Sequence, residues 1–183
     1  MINIKKLDLP EVTPTLVREE YIYYESQSST YRNEMASDQQ FYLGNQLTMA
    51  QKEFLVSVGQ PPEPNNKIKP AVEQVLANVA SSPPAWSAEP IEKTDSDFAY
   101  IATLLLESIW DASKGNMAFR QQVKDYIVKG IAYTFTYPDW NAEGGLGAVR
   151  MRRLPPESVF VDSNSAEPDF SDAFSIIYSD LHV

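Results

Sequence analysis

Arg150, Arg152 and Arg153, in the run VRMRRL, form the one basic cluster of the sequence. Guanidinium groups held this close suit two tasks, gripping phosphate oxygens or pairing with carboxylates. On a strand, Arg150 and Arg152 share one face while Arg153 points to the other. So few cations neutralise few phosphates, which ranks pairing with the chain's own carboxylates, or with a neighbouring subunit's, ahead of a DNA contact. Asp162, Asn164, Glu167, Asp169 and Asp172 offer oxygens that a hard cation would accept. They lack the alternating ligands, central glycine and closing glutamate of a calcium loop, so the spacing predicts turn capping and no metal. Asp139 and Glu143 flank Trp140, an arrangement in which two carboxylates could attack a sugar stacked on the ring, although nothing in the spacing fixes their separation. A plain surface turn is the simpler reading. His182, the single histidine, stands next to the last residue, which leaves no material for a serine or cysteine triad. Gly144, Gly145 and Gly147 precede a strand pattern and not a helix, unlike a phosphate-cradling loop. These residues predict no catalytic centre, no cofactor and no metal.

Bulk chemistry narrows the field further. The 183 residues carry 15 basic and 25 acidic side chains, a net charge of −10. Residues 1–100 hold 8 basic and 14 acidic groups and residues 101–183 hold 7 and 11, so neither half is a basic nucleic-acid module. With no cysteine there is no disulfide framework and no zinc–thiolate site. The opening MINIKKLDLP lacks the apolar core of a signal peptide, and no run is long and apolar enough to span a bilayer. Thirteen prolines against seven glycines mark stiff, extended connections.

The elements that must position these residues can be read from periodicity. Residues 1–17 mix charge, proline and β-branched residues without a period and read as an extended arm. A helix is expected from Arg18 to Leu43 with Gly44 beyond its end, and a shorter one from Thr48 to Val58 closed by Gly59. The run QPPEPNNKIKP forbids helix, which resumes from Lys69 to Ala80 through Val72, Val75, Leu76 and Val79. SSPPAWSAEP is extended, with Trp86 as its packing anchor. Asp95 or Ser96 should cap a helix carrying Phe98, Ile101, Ala102, Leu105 and Ile109, stopped by Gly115. Asn116 should cap the next, with Phe119, Val123, Tyr126 and Ile127, up to Gly130. The apolar stripes of this helical hairpin are read as core.

From Ile131 the period drops to two, giving strands at 131–137, 148–154, 158–161 and 173–179. Helices first and strands later predict an α+β fold: amino-terminal helices and a helical hairpin, followed by a small, mainly antiparallel sheet. One domain is expected over residues 18–183, helical to about 130 and strand-rich from 131. The stop at SDLHV, four residues after an apolar strand, suggests truncation, or a chain whose missing part a partner supplies.

Taken in order, the residues resemble a known family, the portal proteins of short-tailed bacteriophages. Tyr31, Arg32, Asp38, Phe41, Tyr42, Gly44 and Gln46 fit its opening motif, with Leu47 where tryptophan is usual. Gly59 and Pro61 fit a following turn, Asn66, Ile68 and Val72 the next helix, and Asp97 to Gly130 a helical pair ending in glycine. Pro155, Val159, Asp162, Asp169, Ser171, Asp172 and Ala173 carry the most specific piece. The glycine usual near residue 78 is absent.

The resemblance implies a non-enzymatic subunit of a ring, typically of twelve copies, at one capsid vertex. Its implied partners are its own copies, the major capsid protein, the terminase, tail adaptor proteins and double-stranded DNA passing through, with no membrane. It implies assembly in the host cytoplasm, residence in the virion, and a wing-like amino-terminal portion without the channel helices. Arg150, Arg152 and Arg153 are the candidate subunit or DNA contacts. The alternatives are a phage-encoded glycan hydrolase and a monomeric acidic binding module.

Overall fold

The computed structural model describes residues 11–179 apart from Pro168. It has an α+β fold of five α-helices and two small antiparallel sheets. Helix α1 (Pro14–Leu43) begins within the span read as an arm, whose residues 1–10 lie outside the described residues, as does His182. Pro14 suits a first helical position, where no amide is needed, and the Thr13 hydroxyl accepts the Leu16 amide at 3.2 Å. Helices α2 (Met49–Ser57), α3 (Ile68–Ala80), α4 (Ser96–Ala112) and α5 (Gly115–Lys129) follow. Strands β1 (Tyr133–Asp139) and β2 (Ala148–Leu154) form one hairpin, and β3 (Val159–Val161) and β4 (Ile176–Tyr178) form a second, separate pair.

The chain divides into two compact units, residues 1–31 with 158–183, and residues 32–157. In the first, β3 and β4 pair from Val159↔Tyr178 to Val161↔Ile176, and the Tyr21 ring of α1 lies 4.6 Å from that of Phe160. In the second, the core is built from Tyr42, Val72 and Leu76, with Val123 and Val128 of α5 packed against it. The expected single sheet is therefore two, because Pro155 and Pro156 interrupt the ladder and a short 3-10 turn, Pro156–Ser158, redirects the chain.

Several local expectations are corrected. Gly115 does not stop α4 but opens α5; α4 ends at Ala112, and Lys114 takes the left-handed conformation between them (φ 53°). The glycine is required because a Cβ there would overlap the Trp110 ring. Asn116 is no cap, since its Oδ1 accepts the Trp110 indole N–H at 3.0 Å. Asp95 does occupy the N-cap position of α4, as one of the two expected candidates, but its side chain makes no capping bond. Trp86 is 46% exposed, its ring tilted against that of Trp110 with centroids 5.9 Å apart. Most consequential, the stripes read as core lie largely at the surface: Phe98, Ile101 and Leu105 of α4 and Tyr126 and Ile127 of α5 are exposed, while Ala102, Ile109, Phe119 and Val123 are half-buried.

Candidate functional site

Antiparallel register decides what the basic run can do. Arg150 lies opposite Tyr137 and Arg152 opposite Phe135, so both arginines and both rings share one face of the β1–β2 hairpin. The rings stack with centroids 5.4 Å apart, and the Arg152 guanidinium sits 5.6 Å and 5.5 Å from them. Such a cation over an exposed Phe135 and a half-buried Tyr137 ring contributes about 0.5–1 kcal/mol and holds the side chain against them.

Arg153 points the other way, opposite Thr134, towards α5. Its guanidinium makes a paired contact with Asp125, Nη2 to Oδ1 at 2.8 Å and Nε to Oδ2. Those bonds to Asp125 hold Arg153 above its already high ordinary pKa, against the opposing effect of burial. Lys129, one turn on in α5, approaches the same carboxylate at 3.3 Å and also pairs with Glu157, whose carbonyl accepts from Arg32. Asp125 and Lys129 side chains are each 6% exposed. Two cations and two anions thus lock β2 and the Pro–Pro turn to α5. Sequence reading missed this quartet; its one signal, Asp125 and Lys129 at i,i+4, looks the same as an ordinary surface pair.

The tip of the hairpin builds an apolar groove of about 540 Å³ with α4, lined by Leu105, Ile109, Pro138, Trp140, Leu146 and Val149, among others. Gly147 (φ 83°) lets the Trp140 ring close over the backbone, where a Cβ would stand 3.3 Å from it. The two carboxylates flanking Trp140 have separate employments. Asp139 accepts the Asn141 amide at 3.1 Å, while Glu143 (φ 55°) sits in the tight turn and lines the groove.

The acidic loop spends its carboxylates on its own backbone. Asp162 accepts the Asn164 amide at 2.9 Å and the Phe174 amide at 3.2 Å. Asp172 accepts the Ser165 hydroxyl at 2.6 Å and the Ala166 amide at 2.7 Å, and Asp169 accepts the Ser171 amide at 3.1 Å. Among the described residues no group of three or more acidic or histidine side chains is placed to hold a metal ion. The backbone bonds of Asn164 and Phe174 hold Asp162 below the usual carboxylate range, and the Ser165 and Ala166 bonds do the same for Asp172. A lowered pKa contributes stability that is present above the ordinary carboxylate range and is lost as pH falls through the lowered value. Asp172→Ala is therefore expected to lower the melting temperature at pH 7 and by much less at pH 3. Equal losses at both pH values would show that charge plays no part.

A second hub explains why residues scattered between 42 and 72 belong together. Asn66 Nδ2 donates to the Tyr42 carbonyl at 2.9 Å, and its Oδ1 accepts from the Ile68 and Lys69 amides, opening α3, and from Gln46 at 3.2 Å. Gly44 (φ 96°) closes α1 beside it, where a Cβ would come within 3.2 Å of the Asn66 amide. The buried Tyr42 hydroxyl donates to Glu73 at 2.7 Å; burial, then that carboxylate, pushes its pKa up to about 12. Tyr42, Gly44, Gln46, Asn66 and Val72 thus form one knot joining the end of α1 to α3.

In comparison with known proteins, residues 18–180 fit the family model described as phage P22-like portal protein. No curated protein matches the chain.

Proposed function

Because the chain belongs to the P22-like phage portal protein family, we propose that it is a subunit of the ring through which a phage genome is packaged and later ejected. The family is structural, a component of the virion capsid. In this reading twelve copies surround one capsid vertex, bind the major capsid protein, and dock first the terminase and then tail adaptor proteins. Duplex DNA passes through, and the ring assembles in the host cytoplasm. Residues 18–183 supply a wing-like portion of that subunit.

The observation that carries this reading is the family match over residues 18–180. The chemistry agrees with it: a chain of net charge −10 does not grip the polyanion that must slide past it. Arg150 and Arg152 are the proposed subunit or DNA contacts, on a platform that Arg153 orders from behind. The loop from Asp162 to Asp172 is proposed as a subunit or capsid contact whose shape its own carboxylates maintain. No helix among the described residues is long and apolar enough to cross a membrane.

The test is placement on assembled particles. Gold-labelled antibody against the chain is expected at one vertex of each phage capsid, and particles assembled without the chain are expected to take up no DNA. Label on every vertex, or particles that fill normally without the chain, would overturn the reading.

A further inference from the structure

Helix α1 changes allegiance along its length. The chain crosses between its two compact units twice, at residues 31–32 inside α1 and at residues 157–158. Before the first crossing Tyr24 is 4% exposed, its hydroxyl bonded to that of Ser175 at 3.0 Å. Beyond it Met35 and Tyr42 are each 3% exposed, and Tyr42 belongs to the core with Val72 and Leu76. Between these anchors none of residues 25–34 is buried. About three turns of helix therefore run without a side chain fixed in either unit.

The composition of that span offers little in exchange. Residues 26–31 read SQSSTY, without an alanine or a leucine, and serine, threonine and tyrosine all rank below those two in helix propensity. Three hydroxyls turn back on the helix itself. Ser26 Oγ donates to the Tyr23 carbonyl at 2.7 Å, Ser28 Oγ to the Tyr24 carbonyl at 2.7 Å and Ser29 Oγ to the Ser26 carbonyl at 2.9 Å. Such bonds compete with backbone amides for the same acceptors, and they bend helices. A helical stretch that lacks packing is also the first to open.

The second crossing is fastened beside the first. Arg32 donates to the Glu157 carbonyl, the Glu157 carboxylate pairs with Lys129, and Pro156 before it is fully buried. Two crossings far apart would act as struts against bending. Two that start from one point allow a pivot there.

We propose that residues 26–31 are a hinge, at which residues 14–25 of α1 bend relative to residues 32–43. The pivot is the Arg32–Glu157 contact, and β3, packed on the first half of α1 through Phe160 and Tyr21, travels with that half. A few small residues that absorb the backbone change are a common form of such a device. The hinge stands on the helix alone and needs no ring.

The experiment measures α1 in the full chain, which has no native cysteine to remove. Spin labels on Glu19→Cys and Ser37→Cys, both exposed positions, stand five turns apart, about 27 Å along an unbroken helix. The hinge is expected to give a broad distance distribution with a share well below that value. Adding Ser26→Ala, Ser28→Ala and Ser29→Ala should gather it into one narrow peak near the straight-helix distance. A single narrow peak in the parent overturns the proposal, and so does a breadth that the alanines leave unchanged. Amide hydrogen exchange gives the second readout. The triple variant is expected to slow residues 28–33 about tenfold while residues 36–42 keep the parent's rates. Equal slowing along the whole helix would mean that no local hinge exists. Should the triple variant fail to fold, the parent's own amides decide: protection at 28–33 equal to that at 36–42 refutes the hinge, and markedly weaker protection at 28–33 supports it.

Discussion

Asp125→Ala is expected to lower stability by about 3–5 kcal/mol, the range for removing one partner of a buried ion pair. The size follows from what is left behind. Lys129, 6% exposed, loses the carboxylate one turn before it, and Arg153 loses both hydrogen bonds of its paired contact. Arg153→Ala should have a smaller effect, because Arg153 is 25% exposed and Asp125 retains Lys129. Replacing Asp125, Lys129 and Arg153 by apolar residues of matched volume should recover much of the loss, since desolvation of the buried charges opposes the pairing from the outset. Urea unfolding followed by tryptophan fluorescence reports this unit directly, because all three tryptophans lie within residues 32–157. A midpoint shift corresponding to less than about 1 kcal/mol would mean that the quartet is solvated, as exposed pairs are.

Leu76→Ala is expected to cost about 2–5 kcal/mol, the transfer of the lost methyl groups plus the cavity left among Tyr42, Val72 and the flanking valines of α5. Leu76 is 2% exposed and sits where α1 and α3 meet α5, so the surroundings have little freedom to collapse around the gap. Leu105→Ala supplies the control. It removes the same atoms from a helix with the same apolar period, and it should change the stability of the isolated chain by less than about 0.5 kcal/mol. Similar losses for the two variants, measured by the same unfolding experiment, would contradict the burial described here.

That contrast shows where the sequence speaks and where it is silent. The spacing of Val72, Val75, Leu76 and Val79 identified α3 because its partners lie in the same unit, and Val72 and Leu76 are indeed buried. Phe98, Ile101 and Leu105 carry the same signal and emerge exposed, since periodicity marks a face that wants burial without saying what covers it. The turns around Gly44, Thr48, Gly59 and Gly130 were legible because left-handed backbone and capping hydroxyls are local requirements. Gly115 was misread for lack of one non-local fact, the Trp110 ring stacked where its side chain would be. The arginines were recognised as a cluster, and strand alternation correctly separated Arg153 from Arg150 and Arg152. Their partners were not legible, because Asp125 is 28 positions away from Arg153 and lies on a helix with several other polar and charged residues, where it looks like a surface carboxylate.

The quartet of Asp125, Lys129, Arg153 and Glu157 is electrically neutral, which fixes how copies of this chain greet one another in solution. Because those four charges cancel, the whole net charge of −10 resides on the other residues. Neighbouring copies therefore repel as colloidal particles do, over a distance set by dissolved ions, about 8 Å at physiological ionic strength and about 30 Å in dilute buffer. Apolar contact acts at shorter range than that repulsion. Raising the ionic strength is therefore expected to weaken the repulsion between copies.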